Sequence, residues 1–249
     1  ESRWVQTDDV VTDEGMAAVA TLQNLDTLIF GTQSPHVTDS GLAPFKALTK
    51  LTYLDLNFKK QSAITLSALS DLNALTELKT LLVYGIQQDD SVLNLSPLKN
   101  LENVSLNITG GLRDRDMACL ADLKKLRWLQ GIEGISDAGV VHIAGLTELD
   151  RIFFRGNRIT DASLQILGGL PKMNSLSLEG DFSNEGLKTL ERLQGLQNLR
   201  LTSVTPLDNK ALEQLAEALP NLASLNGATP AAGTALSANS RPRARRAAN

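Results

Sequence analysis

A repeat of about 24 residues runs through most of the chain and decides what it can fold into. Two neighbouring copies show it clearly, one from Ile135 to Phe154 and the next from Ile159 to Leu178. Counted from the first residue of a copy, offsets 6, 9, 12, 15, 18 and 20 are apolar. Nine copies, numbered here as repeats 1 to 9, begin at Val11, Val37, Ile64, Gln87, Leu112, Ile135, Ile159, Phe182 and Leu207. Repeats of this length stack into a solenoid with one continuous core.

The apolar spacing changes from helical to strand-like within each copy. Offsets 6, 9 and 12 recur every third residue, as on one face of a helix or 3₁₀ segment. Offsets 18 and 20 alternate, which is the periodicity of a strand. Each repeat is therefore predicted to hold one short strand and one helical return. Pro44, Leu66 and Pro97 disfavour regular helices in repeats 2 to 4, so we expect turns or 3₁₀ pieces there and α-helix in later repeats.

Offset 3 holds an acidic or amide residue in most repeats, directly after a threonine or serine in the clearest copies. The members of this column are Asp13, Asp39, Asp89, Asp114, Asp137, Asp161, Asn184 and Asn209. A Thr/Ser-Asp pair ahead of the helical leucines is typical of a helix N-cap, in which the aspartate carboxylate accepts otherwise unpaired backbone N–H groups. We interpret these aspartates as structural rather than catalytic.

These columns resemble the leucine-rich repeat family over residues 11 to about 227. The opening from Val37 to Leu42 is similar to that of the ribonuclease-inhibitor-like and cysteine-containing branches and of many bacterial members. The cysteines of the cysteine-containing type are absent, and the family's asparagine after the strand is matched cleanly only by Asn157. The resemblance implies an α/β solenoid with a curved parallel sheet on the concave face, helical or 3₁₀ segments on the convex face, and a binding role without a particular partner.

Three segments follow from this pattern. Residues 1–10 are expected to be a remnant strand or N-terminal cap, residues 11–227 the solenoid, and residues 228–249 a disordered basic tail of small, polar and proline-interrupted sequence. The chain starts at Glu1 without a methionine, so we interpret it as a processed product or a piece of a longer protein. Further domains of such a parent protein are then among the expected partners.

Charge and composition exclude several classes of partner at this stage. The tail carries four of the 24 basic residues and no acidic residue, whereas all 28 acidic residues lie in the body. An acidic body predicts no nucleic-acid partner, since nucleic acids are gripped by basic surfaces. The sequence contains no run of 18 apolar residues, so it predicts no membrane span. The single cysteine, Cys119, suits the cytoplasm, but a bacterial surface protein without disulfides would look the same, so the compartment stays open.

Residues at offsets 17, 19 and 21 flank the strand leucines and should point away from the core, onto the concave face. Trp128 and Phe153 lie there in adjacent repeats, and aromatic residues and arginines are enriched in binding hot spots. The predicted partner-binding residues are Tyr84, Trp128, Ile132, Arg151, Phe153, Arg155 and Arg200. The alternative is that these broad side chains pack only on their neighbours across the strands.

Catalytic and metal-binding motifs are missing from the sequence. The two histidines, His36 and His142, occupy different offsets, Cys119 has no histidine near it in sequence, and no phosphate-binding glycine loop is present. We therefore expect no enzyme activity and no cofactor. The favoured function is a non-catalytic module that recognises a protein or peptide through its concave face, with the arginines indicating an acidic epitope. The alternatives are a scaffold or targeting segment that acts through its ends or basic tail, and a regulator of an enzyme.

Overall fold

Ten parallel strands form one sheet, in which each strand pairs with the strands before and after it in the chain. The structure is a computed structural model that describes residues 2–7, 11–58, 63–156 and 158–226. The strands are β1 Ser2–Thr7, β2 Thr27–Thr32, β3 Tyr53–Phe58, β4 Thr80–Gln87, β5 Asn103–Thr109, β6 Trp128–Glu133, β7 Arg151–Arg155, β8 Ser175–Gly180, β9 Asn198–Ser203 and β10 Ser224–Leu225. The predicted curved solenoid with strands on its concave face is confirmed. The predicted basic tail and Asn157 lie outside the described residues.

The return segments on the convex face include both α-helices and 3₁₀-helices. The α-helices are α1 Asp13–Ala20, α2 Asp39–Leu42, α3 Asp137–Val140, α4 Asp161–Leu167, α5 Asn184–Leu187 and α6 Asn209–Ala218, and the 3₁₀ segments are η1 Ala43–Ala47, η2 Leu66–Ala74, η3 Asp114–Leu120, η4 Val141–Ile143 and η5 Lys188–Arg192. Repeat 4 returns through turns, without a helix between Ser91 and Pro97. The expectation for repeats 2 to 4 is confirmed apart from one α-helical turn, α2, at the start of repeat 2.

The expectation of α-helix in every later repeat is wrong for repeat 5. Its return is the 3₁₀ segment η3, on which Met117 and Leu120 are buried three residues apart. Three residues per turn keep such a pair on one side of a 3₁₀-helix. The same spacing at Leu164 and Leu167 lies on the α-helix α4 in repeat 7, so the spacing alone does not select 3₁₀. Repeats 6 and 8 begin with one α-helical turn and then continue as 3₁₀. Repeat 9 has one inserted residue, and its longer spacing from Leu215 to Leu219 coincides with the α-helix α6.

The leucine columns form the core between the sheet and the return segments. Offset 15 is buried from Leu25 to Leu196, and offset 12 is buried from Leu48 to Leu193. Burying each such side chain contributes about 1.5–3 kcal/mol. Leu22, the first member of the offset 12 column, is an exception and is 42% exposed. In α1 the buried residues are Met16 and Ala20, four positions apart, and this α-helical spacing leaves Leu22 outside the core.

The aspartates of offset 3 connect consecutive repeats. In repeats 2, 6, 7 and 8 the helix is capped by the serine or threonine before this column and not by the predicted carboxylate, as when Thr160 accepts the N–H of Ala162. The carboxylate, however, extends to the next repeat rather than to its own helix. Asp137 accepts the N–H of Thr160 at 2.8 Å and its hydroxyl at 2.7 Å. The same pair of bonds joins Asp13 to Thr38, Asp39 to Thr65, Asp114 to Ser136 and Asp161 to Ser183.

This ladder of carboxylates explains the small residues at offset 5. A Cβ atom added to Gly139 would lie 2.7 Å from Asp114 Oδ1, and one added to Gly186 would overlap Asp161 Oδ1. In repeat 7 the position is the buried Ser163, whose hydroxyl donates to Asp137 instead. The aspartate and the small residue of the next repeat therefore form one structural unit.

Candidate binding face on the sheet

The candidate site is the concave face of the sheet, formed by the strand residues that point away from the core. Parallel pairing lines these residues up in rows across the strands. One row runs Tyr53, Thr80, Asn103, Trp128, Arg151, Ser175 and Asn198, and the next runs Ile29, Asp55, Leu82, Ser105, Gln130, Phe153, Ser177 and Arg200. Neighbouring positions in a row are about 4.8 Å apart, so side chains of adjacent repeats touch. We call the residues of these two rows and their offset 21 neighbours the concave face.

Four of the predicted site residues come together on β6 and β7. Trp128 is half-buried and pairs in register with Arg151, and Phe153 lies two residues after Arg151 on the same face. The guanidinium carbon of Arg155 lies 4.8 Å from the centroid of the Phe153 ring, which is a cation–π arrangement. Arg151 also forms an ion pair with Asp150, with Nε and Oδ1 3.4 Å apart. These residues form a half-exposed aromatic group with positive charge along β7, which we call the tryptophan cluster.

Arg200 and Tyr84 lie apart from the tryptophan cluster. Arg200 is exposed on β9, and Ser177 of β8 separates it from Phe153 in the same row. Two strand spacings put it about 10 Å from Phe153 along the sheet. Tyr84 is half-buried on β4, with β5 between it and Trp128 on β6. The predicted residues therefore lie on four strands, β4, β6, β7 and β9, and form more than one group.

Ile132 was predicted on the concave face, and that prediction is wrong. Its side chain is fully buried, and it pairs in register with the core residue Phe154. The cause is a bulge at Gly131, whose φ of +75° is in the left-handed region that favours glycine. The extra residue turns Ile132 into the core and brings Glu133 opposite Arg155. A glycine within a strand pattern often marks such a bulge, so the bulge could have been predicted from Gly131 in the sequence.

A second group on β3 and β4 was not predicted as a whole, although Tyr84 belongs to it. Tyr53, Asp55 and Leu82 join Tyr84 on the concave face, and Leu82 is only 8% exposed. Burial raises the pKa of the Asp55 carboxyl. Burial also raises the pKa of the Tyr53 hydroxyl, and the nearby Asp55 and Tyr84 raise it further. We call these four residues the tyrosine cluster.

Strand β5 separates the two clusters with small polar side chains. Asn103 donates its amide to the Thr80 hydroxyl at 3.0 Å. Ser105 is fully buried between Leu82 and Gln130 in the row, and its hydroxyl has no hydrogen-bond partner within the described part of the chain. The concave face therefore alternates aromatic, polar and aromatic zones along the solenoid.

The remaining reactive groups do not form a catalytic arrangement in the described ranges. Burial raises the pKa of the Cys119 thiol to about 11, so it stays protonated and weakly nucleophilic at neutral pH. Its sulfur donates to the carbonyl of Asp116 at 3.3 Å. Within residues 2–7, 11–58, 63–156 and 158–226, no three acidic, histidine or cysteine side chains are grouped to hold a metal ion. None of the helices in these ranges is long and apolar enough to cross a membrane.

Comparisons with solved structures place the fold among leucine-rich repeat proteins. Internalin C2 of Listeria monocytogenes aligns with a TM-score of 0.51 and 22% identity over 87% of this chain and 82% of its own. The structure of a TLR13–ssRNA13 complex aligns with a TM-score of 0.56 and 20% identity over 87% of this chain and 30% of the TLR13 chain. These likenesses confirm the leucine-rich repeat fold. They do not confirm the ribonuclease-inhibitor-like branch.

Sequence comparison gives a more distant likeness. A Caenorhabditis elegans protein named "Putative RNA-binding protein EEED8.10" is 28% identical over 92 residues, which are 34% of this chain and 12% of that protein. This chain thus spans a small part of that relative's length. No family model matches the chain.

These comparisons overturn the exclusion of nucleic acids that was based on the acidic body. TLR13 has the same fold and was solved with single-stranded RNA, and the worm relative carries an RNA-binding name. The physical reason is that net charge describes the whole chain, whereas binding depends on the local surface. On the concave face, Arg151, Arg155 and Arg200 supply cationic side chains within a body that is acidic overall, together with Glu133 opposite Arg155 and Glu179 on β8.

Proposed function

We propose that this chain is a non-catalytic recognition module whose concave face binds a protein segment or peptide, with Trp128 and Phe153 as apolar anchors. The proposal depends on the tryptophan cluster, in which two half-buried aromatic side chains on adjacent strands lie beside arginines. Buried aromatic and arginine side chains carry much of the binding energy at protein interfaces. A general recognition role also agrees with the leucine-rich repeat fold of internalin C2 and TLR13.

Charge supports an acidic group in the partner near β7 to β9. Among the described residues, Arg155 and Arg200 form no ion pair, whereas Arg151 shares Asp150 with Arg127. The Arg155 guanidinium is already oriented by the Phe153 ring, so it loses little side-chain freedom when it meets a carboxylate. The Thr-Asp-x-Gly-Leu opening supports a likeness of the solenoid, residues 11–227, to the ribonuclease-inhibitor-like branch.

The test is a pull-down from the source cells with wild type and the triple variant Trp128→Ala/Phe153→Ala/Arg155→Ala. The control is Val92→Ala/Val141→Ala/Val204→Ala, which truncates three exposed apolar side chains outside the concave face. We expect only the variant that truncates Trp128, Phe153 and Arg155 to lose the partner. Each aromatic anchor should contribute about 2 kcal/mol of binding free energy, or about thirtyfold in affinity. Circular dichroism must show that both variants are folded. Equal capture by both would contradict the proposal.

Single-stranded RNA is a second candidate partner, supported by the TLR13 complex and by the name of the worm relative. Aromatic side chains beside arginines, as in the tryptophan cluster, also provide stacking surfaces for bases. Treatment of the lysate with ribonuclease distinguishes the two partners. A protein partner persists, whereas an RNA partner is lost and binds a single-stranded RNA of mixed sequence with strong salt dependence.

A scaffold or targeting role through the ends or through residues 228–249 remains the structural alternative. It predicts that deletion of residues 228–249 abolishes localisation or assembly while the triple variant of the tryptophan cluster changes neither. The same pair of variants therefore separates this role from recognition at the concave face.

A further inference from the structure

The tyrosine cluster places a carboxylate in apolar surroundings on the open sheet. Asp55 lies between Ile29 on β2 and Leu82 on β4, its partners in register on either side. Tyr53 precedes it by two residues on the same face of β3, and Tyr84 follows Leu82 by two residues on β4. The carboxylate of Asp55 thus has an aliphatic side chain on each side in its row and two tyrosines near it, with the exposed Asn57 two residues further along β3.

Nothing within the described residues compensates this charge. Asp137, which is half-buried to a similar degree, accepts hydrogen bonds from Thr160 and Ser163. Asp55 has no such donor, and no lysine, arginine or histidine of the described ranges lies within ion-pair distance of it. A partly desolvated carboxylate without donors destabilises a fold slightly. Folding therefore does not explain its position, but binding of a cation would.

We infer that the tyrosine cluster is a subsite for a lysine or arginine side chain of a protein partner. The alkyl stem of that side chain would lie on Leu82 and the tyrosine rings, and its charged end would meet the Asp55 carboxylate. This subsite rests on the proposed function, because it belongs to the same concave face. Its Asp55 carboxylate would bind a positive group of the partner, whereas the arginines of the tryptophan cluster would bind a negative one.

The two clusters together define the spacing of charges in the partner. Asp55 is on β3 and Arg155 is on β7, four strand steps apart in the sheet. Four steps at about 4.8 Å span roughly 19 Å. An extended peptide rises about 3.3 Å per residue, so about six residues cover this distance. The recognised segment would cross the strands. It would carry a basic residue about six positions from an acidic residue, and an apolar residue near the acidic one.

The experiment selects peptides from a random twelve-residue display library on the full chain, with elution by excess soluble protein. We expect enriched peptides to combine a lysine or arginine with an aspartate or glutamate at about six-residue spacing. The best peptide is then synthesised with its basic residue intact or replaced by norleucine, which keeps the alkyl stem and removes the charge. Each form is titrated against wild type, Asp55→Asn and the surface control Asp122→Asn.

Asp55→Asn should weaken the unmodified peptide about tenfold or more, as expected for a lost charge-assisted contact. It should not weaken the norleucine peptide further, and its thermal stability should equal or exceed that of wild type, which excludes a structural role. Equal binding of the unmodified peptide by wild type and Asp55→Asn overturns the cation subsite. If that peptide still depends on Trp128 and Phe153, the proposed function survives. The cation subsite and the proposed function are both overturned if every selected peptide binds equally well after Trp128 and Phe153 are replaced by alanine. They are also both overturned if the face binds single-stranded RNA alone.

Discussion

The Asp137 carboxylate holds repeats 6 and 7 together through four hydrogen bonds, to the N–H and hydroxyl groups of Thr160 and Ser163. We predict that Asp137→Ala lowers the free energy of unfolding by about 1–3 kcal/mol, because the buried Ser163 and the exposed Thr160 both lose their charged acceptor. Urea denaturation measures this change. Asp122→Ala is the control, since Asp122 forms only a surface ion pair with Lys99 and should change stability by less than about 1 kcal/mol. Equal effects of the two substitutions would show that the ladder of carboxylates stabilises nothing.

The small residue at offset 5 offers a second residue-scale test. In Gly186→Ala the new methyl group would overlap the Asp161 carboxylate, which is fixed by two hydrogen bonds from Ser183. We expect a loss of about 1–3 kcal/mol from overpacking or from a displaced carboxylate. In Gly195→Ala the added Cβ would lie 3.7 Å from the carbonyl oxygen of Met173, an ordinary contact. That control should be neutral or stabilise by up to about 1 kcal/mol. Thermal denaturation of both variants under identical conditions makes the comparison.

At this scale the sequence predicted the role of the aspartates better than their partners. The Thr/Ser-Asp pattern correctly indicated a structural residue, and Thr160 does cap its helix. That Asp137 bonds to Thr160, 23 positions away, depends on how closely two repeats stack. Local capping rules do not include that distance. Comparison of offsets 3 and 5 across the repeats would have suggested it, since glycine recurs where the carboxylate passes.

Among the elements, the bulge in β6 determines which side chains reach the concave face. Gly131 has φ +75°, and an added Cβ would lie 3.0 Å from the backbone carbonyl of Leu106. We predict that Gly131→Ala costs about 1–3 kcal/mol of stability, because alanine adopts this conformation poorly and the backbone of β5 cannot yield easily. Gly145→Ala is the control, since the added Cβ would meet only the end of the Lys124 side chain, at 3.4 Å. A Gly131→Ala variant as stable as Gly145→Ala would contradict the bulge.

The elements themselves were largely predictable, and their local geometry was not. The alternation at offsets 18 and 20 located the strands from β2 to β10, and the leucine columns located the core. The three-residue spacing in repeat 5 could not decide between α-helix and 3₁₀-helix, because both helices tolerate it over one or two turns. The candidate site was predicted in part, because Ile132 required the bulge and Asp55 required knowledge of its neighbours on β2 and β4.

On the scale of the whole molecule, stacking creates a property that no single repeat has. Asp55 and the arginines of β7 and β9 lie far apart in sequence, and each of these three strands alone carries one or two charged side chains on the face. Parallel pairing in strict chain order turns this sequence separation into a distance along the sheet. The concave face therefore carries Asp55 at β3 and arginines on β7 and β9, with Glu179 on β8 between them. We expect this order of charges to give a bound segment a defined direction.

Stability towards acid is a second property of the whole solenoid. Burial alone would raise the pKa values of Asp114 and Asp137, but hydrogen bonds from the next repeat outweigh it and lower both from 3.8. The pKa of Asp89 is lowered in the same way, by bonds from Ser91 and Thr65 that outweigh burial. The folded state then binds fewer protons than the unfolded chain. The stabilisation from these groups is complete above about pH 5 and is lost as the pH falls through 3.8 towards the lowered values.

We therefore predict that the free energy of unfolding, measured by urea denaturation from about pH 6 to pH 3, falls steeply below about pH 4.5. The double variant Asp114→Asn/Asp137→Asn should be less stable than wild type near pH 7 and should approach it near pH 3, because its amides have no proton to gain. Burial raises the pKa of Asp55, so this group stabilises the folded state more as the pH falls. Asp55→Asn removes that contribution and should make the decline slightly steeper. The surface variant Asp122→Asn serves as the reference for charge removal in general. If the double variant and Asp122→Asn run parallel to wild type across this range, acid sensitivity comes from groups outside the ladder.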